Sequence, residues 1–221
     1  MRILLHMLTA AASTGLGLLL CTGPALAGNR PQPDTCTYDL QVWNVIEKRS
    51  TNGTTVRHAY ADLLPEEVDA ATGCTVCVED QVRIDLPQLQ PFFICHRVAS
   101  RVRSVVSELI RNNEPIQSIV AYHVIRSRGT VDKDGNRKEF SNHSFGLALD
   151  INPELNGLYE NCVSFGPQCR LLRGGEWHPG VPGTVETKGA IATAFKNAGF
   201  RWGGEIIGNQ KDFMHFSLTG Y

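Results

Sequence analysis

The chain is predicted to fold as α+β, and three observations lead there. An amphipathic run between Cys95 and Asn112 has helical spacing, short alternating or apolar runs on both sides of it have strand spacing, and the two kinds of element follow no regular βαβ alternation. A central antiparallel sheet flanked by helices is the arrangement expected, preceded by a cysteine-bearing N-terminal extension.

Residues 38–62 read as a β-hairpin. Tyr38, Leu40 and Val42 alternate with polar residues, and Asn52-Gly53 is a strong turn signal before Thr55–Tyr60. Residues 65–80 are acidic and read as loop with a short helix, and Val82–Leu86 alternates like a short strand. Between Cys95 and Asn112, Val98, Ala99, Val102, Val105, Val106, Leu109 and Ile110 share one helix face, with Arg97, Arg101 and Arg103 mostly outside. Asn112-Asn113 followed by Pro115 ends that helix.

Ile116–Val124 reads as a buried strand, and the polar stretch Gly129–Lys138, which contains Asp134-Gly135, as a turn or mobile loop. Leu147–Asn152 reads as another strand. Asn156–Thr184 is rich in Gly and Pro and is expected to be mostly irregular. A second helix is predicted from about Lys188 to Ala198, with Thr187 as N-cap and Gly199 beyond its end. Phe213–Leu218 is a last short strand.

The first 27 residues carry one Arg, then an apolar stretch, then Ala25-Leu26-Ala27, which is the pattern of a secretory signal peptide cut after Ala27. Thr9, Ser13, Thr14 and two glycines interrupt the run, which argues against a transmembrane span. A lipoprotein cysteine at Cys21 is the weaker alternative, because only Leu precedes it closely. The boundaries expected are 1–27 for the signal peptide, 28–95 for the extension and 96–221 for the domain that carries the chemistry. Formal net charge is −1 and no Lys/Arg run stands out, so no nucleic-acid or anionic-membrane partner is predicted.

Beyond Cys21 the cysteines are Cys36, Cys74, Cys77, Cys95, Cys162 and Cys169. An even set after a signal peptide predicts disulfides in an oxidising compartment, periplasmic or extracellular. Cys162–Cys169 is the pair expected, stapling one loop. Cys74-Thr-Val-Cys77 has the spacing of half a zinc ribbon, but no second such pair exists.

Two segments carry chemistry: Ser141-Asn-His-Ser-Phe-Gly-Leu-Ala-Leu-Asp150 and Asp212-Phe-Met-His215-Phe216. Zinc catalysis needs three protein ligands, an open position for water, and a carboxylate that is not a ligand to move the proton. His143, Asp150 and His215 suit the ligands, and Asp212 suits the base. Strand parity opposes both pairs: His143 and Asp150 are seven apart, Asp212 and His215 three apart, and odd separations put side chains on opposite faces of a straight strand. A bend at Gly146 and a turn after Asp212 are therefore required. His58, His96, His123 and His178 read as structural or surface residues.

Ser141-x-His143-x-x-Gly146-x-Ala148-x-Asp150 resembles the signature of zinc D-alanyl-D-alanine carboxypeptidases and dipeptidases, which include vancomycin-resistance enzymes, and of the related L-alanyl-D-glutamate endopeptidases. Ile151-Asn152-Pro153, Ala194-Phe195-Lys196, Gly199-Phe200, Trp202-Gly203-Gly204 and Asp212-x-x-His215-Phe216 extend the resemblance to the endopeptidase branch, over about residues 116–221. The resemblance implies a hedgehog-like peptidase fold and a Zn2+ held by His143, Asp150 and His215. It implies Asp212 as general base and an upstream Arg to steady the oxyanion: Arg126, with Arg128 as the alternative. Ser141 is implied in substrate binding or in orienting its loop.

The substrate class implied is the peptidoglycan stem peptide. Ile206, where the family has an aromatic, the longer loop 131–140 and the unmatched residues 28–95 leave open which bond is cut. Two other functions are consistent with the residues: a zinc-stabilised binding module, as in the related hedgehog signalling domain, and a secreted peptidase of other substrates.

Overall fold

A computed structural model describes residues 30–51 and 53–220. The expected signal peptide and Asn52 of the expected turn lie outside the described residues. Gln32–Tyr221 forms one compact unit. Its strands are β1 Thr35–Asn44, β2 Arg49–Ser50, β3 Thr54–Ala59, β4 Gln81–Ile84, β5 Phe92–Cys95, β6 Ile119–Val120, β7 Ile125–Val131 and β8 Arg137–Phe140. The remaining strands are β9 Ala148–Ile151, β10 Leu158–Glu160, β11 Arg170–Arg173, β12 Arg201–Trp202, β13 Gln210–Asp212 and β14 His215–Ser217. The helices are α1 Ala99–Arg111 and α2 Ala190–Asn197.

The class is α+β, as the sequence predicts. The strands are distributed over four sheets. In the first, β1 pairs antiparallel with β2 and β3 and parallel with β7, which pairs with β8. The second runs β12-β14-β9-β6, antiparallel throughout. The third is β11-β10-β13, and the fourth is the pair β4-β5. No described helix is long and apolar enough to cross a membrane.

The first hairpin reverses at Val45–Lys48, where Lys48 has φ +53°, and not at Asn52-Gly53. Trp43 pairs Ser50 but Leu40 pairs Thr54, so the register shifts by one residue between these two pairings. The stretch read as a turn or mobile loop at 129–138 has its turn around Asp134-Gly135, with strand on both sides of it. β7 runs to Val131 and turns back after Asn136, with Asp132 Oδ1 accepting the Asp134 and Asn136 amides. The strand predicted over 116–124 shrinks to β6, because Asn152 Oδ1 takes the Gln117 and Ser118 amides and the Tyr122 amide goes to Phe93.

Helix α1 starts at Ala99, later than its apolar pattern suggests, because Cys95 is committed to β5, opposite Gln81. Val102, Val105, Val106 and Leu109 are its buried face, contributing about 1.5–3 kcal/mol each by leaving water. Helix α2 is capped at Gly189, not Thr187, whose carbonyl accepts Lys196 Nζ. Its Ile191, Ala192 and Phe195 join the core that contains the α1 face and Phe216.

The Gly- and Pro-rich segment 156–184 holds β10 and β11, closed by the expected Cys162–Cys169 disulfide. Cys36–Cys77 and Cys74–Cys95 tie β1, the 74–77 segment and β5 together. Glu67 is buried in the same region. Burial pushes its carboxyl up, but hydrogen bonds from the Tyr38 hydroxyl, the Leu64 amide and His58 hold it below the usual carboxylate range.

Gly146 controls where the site begins. It ends a 3-10 turn, Asn142–Phe145, at φ +62°, a left-handed conformation that glycine adopts without strain. A Cβ there would lie 2.5 Å from the Cys95 nitrogen, beside the Gln81 side chain. Gly146→Ala is expected to destabilise the fold by about 2–5 kcal/mol, combining left-handed strain with overpacking. In a thermal melt a chain of this size would lose roughly 5–15 °C. A melting temperature equal to wild type would contradict this role.

Candidate metal centre

Strands β9 and β14 put two of the candidate residues side by side. His215 is the direct cross-strand partner of Asp150, so both side chains leave the same face of the sheet. The third, His143, comes from the Asn142–Phe145 turn just before β9. The bend at Gly146 removes the parity conflict between His143 and Asp150. Asp212 ends β13 and His215 begins β14, strands of different sheets, so the chain turns between them as required.

The turn is held firmly. Asn142 Nδ2 donates to the Gly220 carbonyl and to Ser217 Oγ, while its Oδ1 accepts Arg128 Nη1 at 2.6 Å. Ser144 Oγ accepts the Ile125 amide at 3.0 Å and lies 3.2 Å from Ser141 Oγ. Ser141 is buried there, oriented toward the turn's own frame.

His143, Asp150 and His215 are 6%, 7% and 8% exposed. His143 Nε2 lies 3.2 Å from Asp150 Oδ1 and 3.1 Å from His215 Nδ1, and His215 Nδ1 lies 3.1 Å from Asp150 Oδ1. His143 Nδ1 sits 2.7 Å from the Ala121 carbonyl, so it donates there and leaves Nε2 as a lone pair aimed at the other two atoms. Three atoms able to ligate a metal ion thus meet in a buried site. Their separations of 3.1–3.2 Å lie slightly inside the edges of roughly 3.3–3.6 Å that ligand bonds of about 2.0–2.2 Å in a tetrahedron give.

Burial pushes the Asp150 carboxyl up, but His143 and His215 hold it well below the usual carboxylate range. Burial presses His143 down, and the Asp150 carboxylate more than offsets this, leaving it raised. His215 is lowered, chiefly by burial.

Asp212 is raised well above the usual carboxylate value, first by burial and then by the Asp150 charge, with His143 and Arg173 opposing. Its Oδ1 is buried and has no hydrogen-bond partner among the described residues. The His123 ring lies tilted against His143 with centroids 4.6 Å apart, and burial presses it down to about 4.

The two arginines separate. Arg126 pairs with Glu66 at 2.6 Å, donates to the Lys138 carbonyl and lies 4.1 Å over the Phe140 ring. Arg128 holds Asn142, next to His143, and its charge lowers His215. The β7–β8 register shifts between them, so their shared parity does not give them shared surroundings. Arg173, whose charge reaches Asp212 and His123, is flagged by nothing in its local sequence.

A match to known proteins falls on this same ground. Residues 134–218 match the D-alanyl-D-alanine carboxypeptidase family model. The carboxypeptidase match takes in His143, Asp150, Asp212 and His215, together with β9, β13 and β14. It supports a hydrolase acting on peptides, and a His-Asp-His metal site is in keeping with it. Arg126 and Arg128 precede the matched carboxypeptidase segment. No curated protein and no solved structure matches the chain.

Proposed function

We propose that this chain is an exported zinc metallopeptidase that hydrolyses amide bonds in peptidoglycan stem peptides, of the D-Ala-D-Ala carboxypeptidase or L-Ala-D-Glu endopeptidase type. The observation that carries this is the triangle of His143 Nε2, Asp150 Oδ1 and His215 Nδ1, inside a segment that matches the carboxypeptidase family. These three residues would hold the ion. A bound zinc supplies Lewis acidity, bringing water near a pKa of about 7 and polarising the scissile carbonyl.

The chain's own residues do the rest. Asp212 takes a proton from the attacking water at its unpartnered Oδ1 and passes it to the leaving amine. Its raised affinity for protons suits that exchange. Arg126, or Arg128 as the alternative, is the cation that steadies the developing oxyanion; Arg126 pairs with Glu66 and lies over Phe140, whereas Arg128 holds Asn142 beside His143. Ser141 orients the His143 turn through Ser144. The Ala121 carbonyl fixes the His143 tautomer.

Export through the 1–27 signal to the periplasm or the medium agrees with the three disulfides. The antiparallel sheet β12-β14-β9-β6, which presents two of the ligands, corresponds in this reading to the central sheet of a hedgehog-like peptidase domain over 96–221.

The test is digestion of purified sacculi and defined muropeptides by the zinc-loaded protein, with new termini identified by mass spectrometry. New D-Glu amino termini, or released D-Ala with a new D-Ala carboxy terminus, are expected. Zinc bound at one equivalent with no new terminus would favour a non-catalytic binding module instead. Cleavage of other peptides but no wall fragment would make it a secreted peptidase of non-wall substrates.

A further inference from the structure

Arg173 stands in line with Asp212. In the sheet β11-β10-β13, Leu158 of β10 is the cross-strand partner of Arg173 on one side, at the end of β11 where the register shifts by one residue, and of Asp212 on the other. Cross-strand partners present their side chains to the same face, and two strand spacings put the Arg173 and Asp212 backbones roughly 10 Å apart. One extended residue spans about 3.3–3.6 Å. A group carried one residue beyond a bond attended by Asp212 therefore falls within reach of the guanidinium.

The end of β11 is rigid. Gly175 donates its amide to the Pro153 carbonyl at 2.9 Å, and a Cβ on Gly174 would lie 2.5 Å from that same oxygen. Arg173 is thereby fixed against the segment that leaves β9, the strand of Asp150. Its side chain is exposed and makes no hydrogen bond or ion pair among the described residues. Even so, its charge acts on Asp212 and on His123, the ring tilted against His143.

We infer that Arg173 binds the free α-carboxylate of the substrate residue that supplies the leaving amine. This rests on the peptidase reading above. A planar fork of donors matches a carboxylate in two parallel hydrogen bonds, and an anionic substrate approaching Asp150 and Asp212 needs a countercharge. Both stem-peptide bonds place such a carboxylate there: on the terminal D-Ala of D-Ala-D-Ala, and on a D-Glu joined to the next residue through its γ-carboxyl.

The experiment uses the zinc-loaded full chain, as wild type, Arg173→Ala and Arg173→Lys. Each stem peptide is offered with the carboxylate in question free or amidated, one pair for D-Ala-D-Ala and one for L-Ala-D-Glu. The pair that wild type cleaves identifies the source of the carboxylate. On that pair, amidation or Arg173→Ala each lowers kcat/KM about 10–100-fold, mainly through KM, and the two together cost no more than one. Arg173→Lys recovers part of the loss on the free acid and none on the amide. Equal loss on acid and amide, or no loss on the acid, overturns the inference and leaves the peptidase reading standing. Wild type that cleaves no peptide overturns both.

Discussion

Replacing Asp212 by alanine is expected to lower stem-peptide hydrolysis by about 10²–10⁴-fold, the usual contribution of a positioned general base, while metal content stays at the wild-type level. The carboxylate is not one of the three grouped ligand atoms but feels the charges of Asp150 and His143, and its buried Oδ1 has no hydrogen-bond partner among the described residues. Metal analysis and kinetics on the same preparation separate base from ligand. Retained hydrolysis would remove Asp212 from the mechanism. Loss of metal together with activity would make it a ligand. The fold should not suffer, since removing Asp212 also removes the charge it sets against Asp150.

His215→Ala has the other large expected effect. It deletes one corner of the triangle, so zinc should no longer be retained through dialysis. Activity should fall by about 10³-fold or more, because a Lewis acid contributes several kcal/mol to the transition state. Chelation of the wild type should give the same loss, reversed by added zinc, whereas the variant should not recover at equimolar zinc. Wild-type zinc stoichiometry in His215→Ala would overturn the ligand assignment whatever the kinetics show. Circular dichroism on the variant would detect unfolding as a rival cause.

The comparison of sequence with structure turns on how far apart the partners of each feature lie. The α1 face was legible because its period is written within thirteen residues. The Cys162–Cys169 bridge was legible because its loop is short. The hairpin turn was not. Asn52-Gly53 is a good local turn signal, yet pairing of Trp43 with Ser50 moves the reversal to Val45–Lys48. Asn152 likewise took the Gln117 and Ser118 amides out of a predicted strand from thirty-odd residues away. In the candidate site, the four residues of the two motifs were visible as types and spacings. The surroundings of Arg128 and Arg173 were not visible, because neighbours far along the chain supply them.

By itself, then, the sequence determined the α+β class, the apolar face of α1, the need for bends at Gly146 and after Asp212, and the donor set His143, Asp150 and His215 with Asp212 nearby. Short-range periodicity and spacing encode the class, the helix face and the bends, while the donor set is what the two motifs and the family resemblance they carry imply. Only the tertiary structure decided that His215 lies opposite Asp150, that Arg126 is spent on Glu66 and Phe140, and that Arg173 shares a row with Asp212. Strand register and long-range packing set those relations, and both are fixed cooperatively by contacts that no local pattern contains.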